Sequence, residues 1–130
     1  MTLLSTPADL PRAFALAWSA RDARALAGFF AADADFLSLT GAAAEGVDEI
    51  TEVLAGELAG AFARARLVTG KTRLRPLGPH AAVLLQRFVL TGIVHADGSD
   101  AGRIGAVLAA TLVANGAGWE IVAAQFVAEG

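Results

Sequence analysis

The chain has 130 residues, 55% of them hydrophobic, with ten Lys and Arg against thirteen Asp and Glu and a formal net charge of -3. That length makes one domain over residues 1–130, able to bury roughly two-thirds of the surface its unfolded form exposes, and the scattered arginines lack the concentrated basic face of a nucleic-acid binder. The absence of cysteine excludes disulfides, thiolate metal sites and thiol nucleophiles.

In chain order, Thr6-Pro-Ala-Asp9 reads as a helix start, with a hydroxyl cap, an early proline and an acid favouring the positive end of the helix dipole. Leu10, Phe14 and Trp18 then form a helical stripe. Asp22 caps a second helix carrying Leu26, Phe29 and Phe30, with Asp33 closing it. A short strand is expected over 35–40 and a turn over 41–46. From Val47 a third helix places Ile50, Val53, Leu54, Leu58, Ala61 and Phe62 on one side, opposite Asp48, Glu49 and Glu52. Beyond Ala65 the pattern becomes extended, with segments over 67–77, 81–94, 103–114 and 119–128 separated by Gly-, Asp- and Asn-containing turns. The alanines of 104–114 would also suit a helix. Helices first and antiparallel strands last make an α+β plan.

Alternation in 81–94 puts Ala82, Leu84, Phe88 and Leu90 on one face and Val83, Leu85, Val89 and Ile93 on the other, so both faces are apolar. Helices drawn only from the front of the chain can cover one side of such a sheet. A second copy is expected on the other, making a homodimer through the sheet face. The mean hydropathy of +0.56 points the same way, since the longest uncharged apolar run, 104–114, is about half of the ~20 residues of a membrane span. Residues 1–9 carry no signal-peptide pattern, so a cytoplasmic location without membrane association is expected.

Few residues offer chemistry. Asp33 and Asp35 read as a turn acid and a solvated strand start. His80 and His95 sit in turns without metal-ligand spacing, so no metal and no cofactor is expected. Gln86 and Arg87 interrupt an apolar strand; one of them should face inward, and Arg87 could pair with a carboxylate such as Asp35 or hold a ligand's carbonyl. Gln125, counted in alternation with Trp119 and Ile121, could supply a donor and an acceptor to a bound molecule. No phosphate-binding glycine loop or serine nucleophile elbow is present.

Trp18-Ser-Ala-Arg-Asp22, Phe29-Phe-Ala-Ala-Asp-Ala-Asp-Phe36, Gly41, Gly46 and Gly118-Trp-Glu-Ile-Val-Ala-Ala124 together resemble the SnoaL-like branch of the nuclear transport factor 2-like superfamily, and within it the small SgcJ/EcaC-type proteins. The resemblance implies a cone-shaped, cystatin-like fold, with three helices packed on the concave face of a curved, mainly antiparallel sheet. Alignment with the ketosteroid isomerases of that superfamily puts their oxyanion-hole tyrosine at Phe14 and their general-base aspartate at Ser38. The SgcJ-like pattern would place asparagine at Ser38, a histidine-tryptophan pair at Ala43-Ala44 and a histidine-asparagine pair at Gln125-Phe126, and this chain departs from each. The expected function is therefore a small-molecule pocket protein of undefined activity, holding an apolar ligand through Phe14, Trp18, Phe36, Ser38 and Gln125. One alternative is a lyase, isomerase or cyclase on a polyketide-like substrate, with Asp35 as acid or base and Arg87 or Gln125 polarising a carbonyl. The other is a non-catalytic dimerisation module whose cone is filled by its own side chains.

Overall fold

The computed structural model describes residues 4–129. Three helices, α1 (Leu10–Ser19), α2 (Ala23–Ala27) and α3 (Gly46–Ala59), lie on one face of a single curved sheet. Its strands are β1 (Phe30–Leu37), β2 (Ala43–Glu45), β3 (Arg66–Pro76), β4 (Ala81–Thr91), β5 (Ile104–Asn115) and β6 (Gly118–Ala128). They run in the order β2-β1-β6-β5-β4-β3, antiparallel throughout except for the parallel pair β1 and β6. With β2 and β3 as free edges the sheet is open, and register shifts in the β1–β6, β3–β4 and β5–β6 pairs bend it.

The front of the chain is built from local caps. A single 3-10 turn over Pro7–Asp9 precedes α1, and the Thr6 N–H donates to Asp9 Oδ2 at 3.2 Å. At the other end Arg21 takes a left-handed φ of 55°. The N–H groups of Arg21 and Asp22 then return to the carbonyls of Trp18 and Ala17 at 2.9 and 3.0 Å, which ends the helix as a Schellman motif. Asp22 in turn caps α2, its Oδ1 accepting from the Ala25 N–H at 2.9 Å, as expected.

Several boundaries differ from the sequence reading. The second helix spans five residues only, so Phe30 and Asp33 belong to β1; the Ile121 N–H reaches the Phe29 carbonyl at 2.9 Å and draws this segment into the sheet. The turn over 41–46 contains β2, and α3 stops at Ala59, leaving Ala61 and Phe62 in the turn that follows. The alanine-rich stretch is strand β5. Strand β4 ends at Thr91 because Gly92 turns with a φ of +76°, close against the Arg64 backbone. Ile93 therefore packs against the core instead of the outer face.

Register fixes the two faces. Leu74, Leu84, Ala110, Ala124, Phe36 and Ala44 form one cross-strand row on the inner face, beneath Leu10, Phe14, Trp18, Ile50 and Leu54 of the helices. On the outer face, Arg75, Val83, Thr111, Ala123, Asp35 and Glu45 form another.

Candidate functional site

The interior of the cone is occupied by aromatic rings. Phe14 on α1 meets Trp18, Phe88 and Phe126 with centroids at 6.3, 6.1 and 5.8 Å. Trp18 also meets Phe62 and Phe126, at 5.7 and 6.1 Å. These spacings fall within the range at which aromatic pairs attract, and the rings from α1, β4, β6 and the turn after α3 close on one another. Phe36 lies apart in an edge-to-face pair with Phe30 at 5.4 Å. Five clefts that indent the surface are lined without Phe14, Trp18 or Ser38.

Ser38 is 2% exposed and works on its own turn. Its hydroxyl accepts from the Ala42 N–H at 3.1 Å and lies 3.3 Å from the Thr40 hydroxyl, while its N–H donates to the Ala42 carbonyl at 2.9 Å. Together with Gly41 it closes the hairpin that joins β1 to β2. Gln86, 0% exposed, is the inward-facing member of the Gln86-Arg87 pair. Its Nε2 donates to the carbonyls of Gly70 and Arg87 at 3.1 and 2.8 Å, and its Oε1 accepts from the Thr72 hydroxyl. These bonds knit the β3 bulge, whose freed backbone groups would otherwise be unsatisfied. Among the described residues every buried side-chain nitrogen or oxygen has a hydrogen-bond partner.

Gln125 departs from the expected placement. Thr111 pairs with Ala123 but Leu112 pairs with Ile121, which leaves Val122 as an extra residue in β6. That bulge inverts the alternation, because one inserted residue moves every later side chain to the opposite face. Ile121, Ala124 and Phe126 are buried, whereas Gln125 is exposed on the outer face. Ser38 and Gln125 thus lie on opposite sides of the sheet, and the expected ligand set does not converge.

Arg87 is likewise on the outer face, where its Nη1 pairs with Glu129 at 2.5 Å; the side chains are 55% and 43% exposed. Its partner is therefore not Asp35, which is exposed on β1 beside Glu45. Asp35 lines a shallow cleft of about 420 Å³ with Phe36, Leu37, Glu45, Glu49 and Gln125. The ring of Phe36 is 2% exposed, so it gives this cleft little apolar surface. A larger cleft of about 510 Å³ runs between α1 and β3, bordered by Pro11, Arg12, Leu16, Leu67, Thr69 and Gln86. Sequence reasoning passed over this one, because its walls come from an exposed helix edge and a polar edge strand with no motif of their own. No three His, Asp or Glu side chains among the described residues come together as a metal site.

What the sheet does present is its outer face. Leu37, Val68, Leu85, Val89 and Val127 stand there at 37–52% exposure, with Val107, Ala109, Thr111 and Ala123 half-buried between them. The apolar character expected of both strand faces is therefore present, one side under the helices and the other uncovered within the chain.

An open, bent sheet with three N-terminal helices on its concave side and a parallel β1–β6 pair matches a recurrent architecture. A Caulobacter vibrioides protein with a cystatin-like fold is similar over 95% of this chain and 87% of its own, with a TM-score of 0.84 at 19% identity. The chain has a cystatin-like, nuclear transport factor 2-like fold. A nuclear transport factor 2-like protein from Novosphingobium aromaticivorans is similar over 92% of this chain and 77% of its own, with a TM-score of 0.75 at 18% identity. A Xanthomonas campestris protein provisionally assigned as a calcium/calmodulin-dependent protein kinase II association domain covers 99% of this chain and 95% of its own, with a TM-score of 0.78 at 15% identity. No family model and no curated protein matches the sequence. Among the described residues no helix is long and apolar enough to cross a membrane.

Proposed function

We propose that this chain is a non-catalytic homodimerisation module, with the outer face of the sheet as its working surface. The observation that carries this reading is the aromatic cluster of Phe14, Trp18, Phe62, Phe88 and Phe126, which fills the cone where a ligand would otherwise sit. The polar groups that could have held a substrate are engaged internally, Ser38 in its hairpin and Gln86 in the β3 bulge. Asp35, the expected acid or base, and Arg87, the expected carbonyl-polarising group, sit on separate strands, with Arg87 turned to Glu129. By contrast, the outer face carries large aliphatic side chains that a solitary domain gains nothing by exposing. The association-domain assignment of the Xanthomonas neighbour agrees with this reading.

The experiment is sedimentation or light scattering at micromolar concentration, with dimer as the expected result and monomer as the one that overturns it. Val89→Lys, at an exposed position on the outer face of β4, should dissociate or precipitate the protein. Arg24→Ala, on the exposed side of α2, should leave it unchanged. A second reading rests on the cleft between α1 and β3, whose apolar borders and Arg12 would suit a small amphipathic molecule. In a Trp119→Phe variant the remaining indole, Trp18, is sealed in the core. Its emission should ignore apolar probes, and a saturable change would favour the pocket reading.

A further inference from the structure

Arg64, Arg66, Lys71, Arg73, Arg75 and Arg87 all fall between Glu57 and Asp97, a stretch without an acid in a chain whose net charge is -3. The fold gathers four of these cations on one side of β3. Arg66, Arg73 and Arg75 pair with the outward residues Thr91, Leu85 and Val83 of β4, and Lys71 borders an outer groove with Leu85 and Arg87. At about 3.4 Å per residue the stripe from Arg66 to Arg75 runs for about 30 Å. Among the described residues only Arg87 of the six has a carboxylate partner. Strand β3 is also a free edge: it pairs with β4 on one side and with no strand on the other, and every residue in it except Leu67 is exposed. Its inward residues Leu67 and Thr69, with Pro11, Arg12 and Leu16 of α1, wall the cleft of about 510 Å³ that runs alongside, and Leu16 is 61% exposed there. An unpaired strand edge therefore lies between a basic outer side and a largely apolar inner groove.

We infer that this edge docks an extended acidic peptide, which adds to β3 as a further strand with its carboxylates outward beside Arg66, Arg73 and Arg75 and its apolar side chains inward against Leu16 and Leu67. Successive residues of a strand point to opposite sides, so the sequence that fits alternates acidic and aliphatic residues. Strand addition draws affinity from main-chain hydrogen bonds and specificity from alternate side chains. Here the alternate side chains meet cations on one side and a groove on the other. A second β3 is the wrong occupant, because a centred antiparallel pair would set Arg66 beside Arg75, and like charges directly opposite are destabilising. Cations on an edge strand deter edge-to-edge pairing in this way; toward an acidic strand the same cations attract. A nucleic acid gains less from the stripe, since bases need aromatic platforms to stack on, and the outward residues of β4 beside it are Val83, Leu85, Arg87 and Val89. The outer face is convex, with the helices on its concave side, so the β3 edge curves away from the apolar middle of that face. Docking at the edge is therefore independent of the dimer reading.

The test is fluorescence anisotropy of the parent chain with a labelled peptide of about ten residues, long enough to follow β3, in which glutamate and valine alternate. It should bind saturably, and about tenfold tighter than a peptide of the same composition with its glutamates and valines in separate blocks. Arg73→Glu with Arg75→Glu should weaken the alternating peptide about tenfold or more, and Leu16→Gln, at an exposed position, about threefold. Unchanged affinity in either variant overturns the placement. A second readout leaves the protein unaltered. A strand presents its backbone N–H groups to one neighbour from every second residue, so of two peptides, one N-methylated on all its glutamates and one on all its valines, one should lose binding and the other keep it. Loss by both or by neither overturns strand addition, as does a block peptide that binds equally well or an alternating one that does not bind. An oligothymidylate of matching length that binds as tightly as the alternating peptide overturns the peptide in favour of a nucleic acid.

Discussion

Trp18 and Arg21 share one acceptor: the indole Nε1–H and the guanidinium Nη1 both donate to the Ala65 carbonyl oxygen, at 3.0 and 2.7 Å. The end of α1 is thereby tied to the residue just before β3. The same guanidinium also reaches the Trp18 carbonyl at 3.1 Å, although Arg21 holds a left-handed φ of 55° that glycine would adopt without strain. The bonds to Ala65 and Trp18 explain why arginine stands at a position whose backbone favours glycine.

Arg21 can be dissected by two substitutions. Arg21→Ala loses the charged hydrogen bonds and keeps the backbone strain, and should cost about 2 kcal/mol. Arg21→Gly loses the same bonds but relieves roughly 1 kcal/mol of strain, so it should be the more stable of the two. Urea unfolding of both variants checks this, and an alanine variant as stable as the parent would show that the Ala65 bond contributes nothing.

Much of the front of the chain was legible because its signals are local. Trp18 reads as a core aromatic and Asp22 as the cap of a new helix, and each does in the fold what the sequence suggests. The strands were harder. Counting alternate residues from Trp119 puts Gln125 on the inner face, yet the bulge at Val122 reverses the count, and nothing in Ile-Val-Ala-Ala marks where the extra residue falls. The bulge in β3 was equally hidden, and with it the reason for a buried Gln86. Phe30 reads as helical by spacing but is drawn into β1 by a parallel partner more than ninety residues away in the chain, Ile121. A site that depends on which face a side chain occupies is therefore less legible than the architecture that carries it.

Gly92 ends β4 at a point where the chain passes close to Arg64. A Cβ added there would sit 2.5 Å from the Arg64 carbonyl oxygen, and the φ of +76° is one that side-chain-bearing residues rarely adopt. Clash and strain act together, so Gly92→Ala should destabilise by about 2–4 kcal/mol. Gly98→Ala, with a φ of +85° but open space around it, should cost only the strain, about 1 kcal/mol. Equal losses in thermal or denaturant unfolding would show that the close approach to Arg64 is absent in solution.

Asp97 gives the loop between β4 and β5 a pH dependence of known sign. The Ser99 hydroxyl and backbone N–H both donate to its Oδ1, at 2.6 and 2.9 Å, and hold its pKa below the ordinary value of 3.8. A carboxyl whose folded pKa is lowered contributes stability above its unfolded value and loses it as pH falls through the folded one. That contribution should therefore fade only below about pH 4. In an NMR titration Asp97 should titrate below 3.8, and Ser99→Ala should move it upward by removing the hydroxyl donor. An unchanged titration would show that the hydroxyl bond does not form in solution.

Restoring the isomerase residues that this chain lacks should not restore an active site. Phe14 is fully buried against Trp18, Phe88 and Phe126, so Phe14→Tyr introduces a hydroxyl among rings with no acceptor on any of them. That should cost about 1–3 kcal/mol for the unpaired polar group, with crowding in addition. Ser38→Asp puts a carboxylate where the parent hydroxyl lies between the Ala42 N–H and Thr40, and Glu57, bonded to Thr40 at 2.6 Å, already supplies negative charge nearby. The double variant should be markedly less stable than the parent and should show no steroid double-bond isomerisation above buffer, because the cone is already packed. Measurable turnover by the double variant, with a saturable dependence on substrate, would mean that the aromatic cluster opens to admit a ligand. The pocket reading would then displace the module.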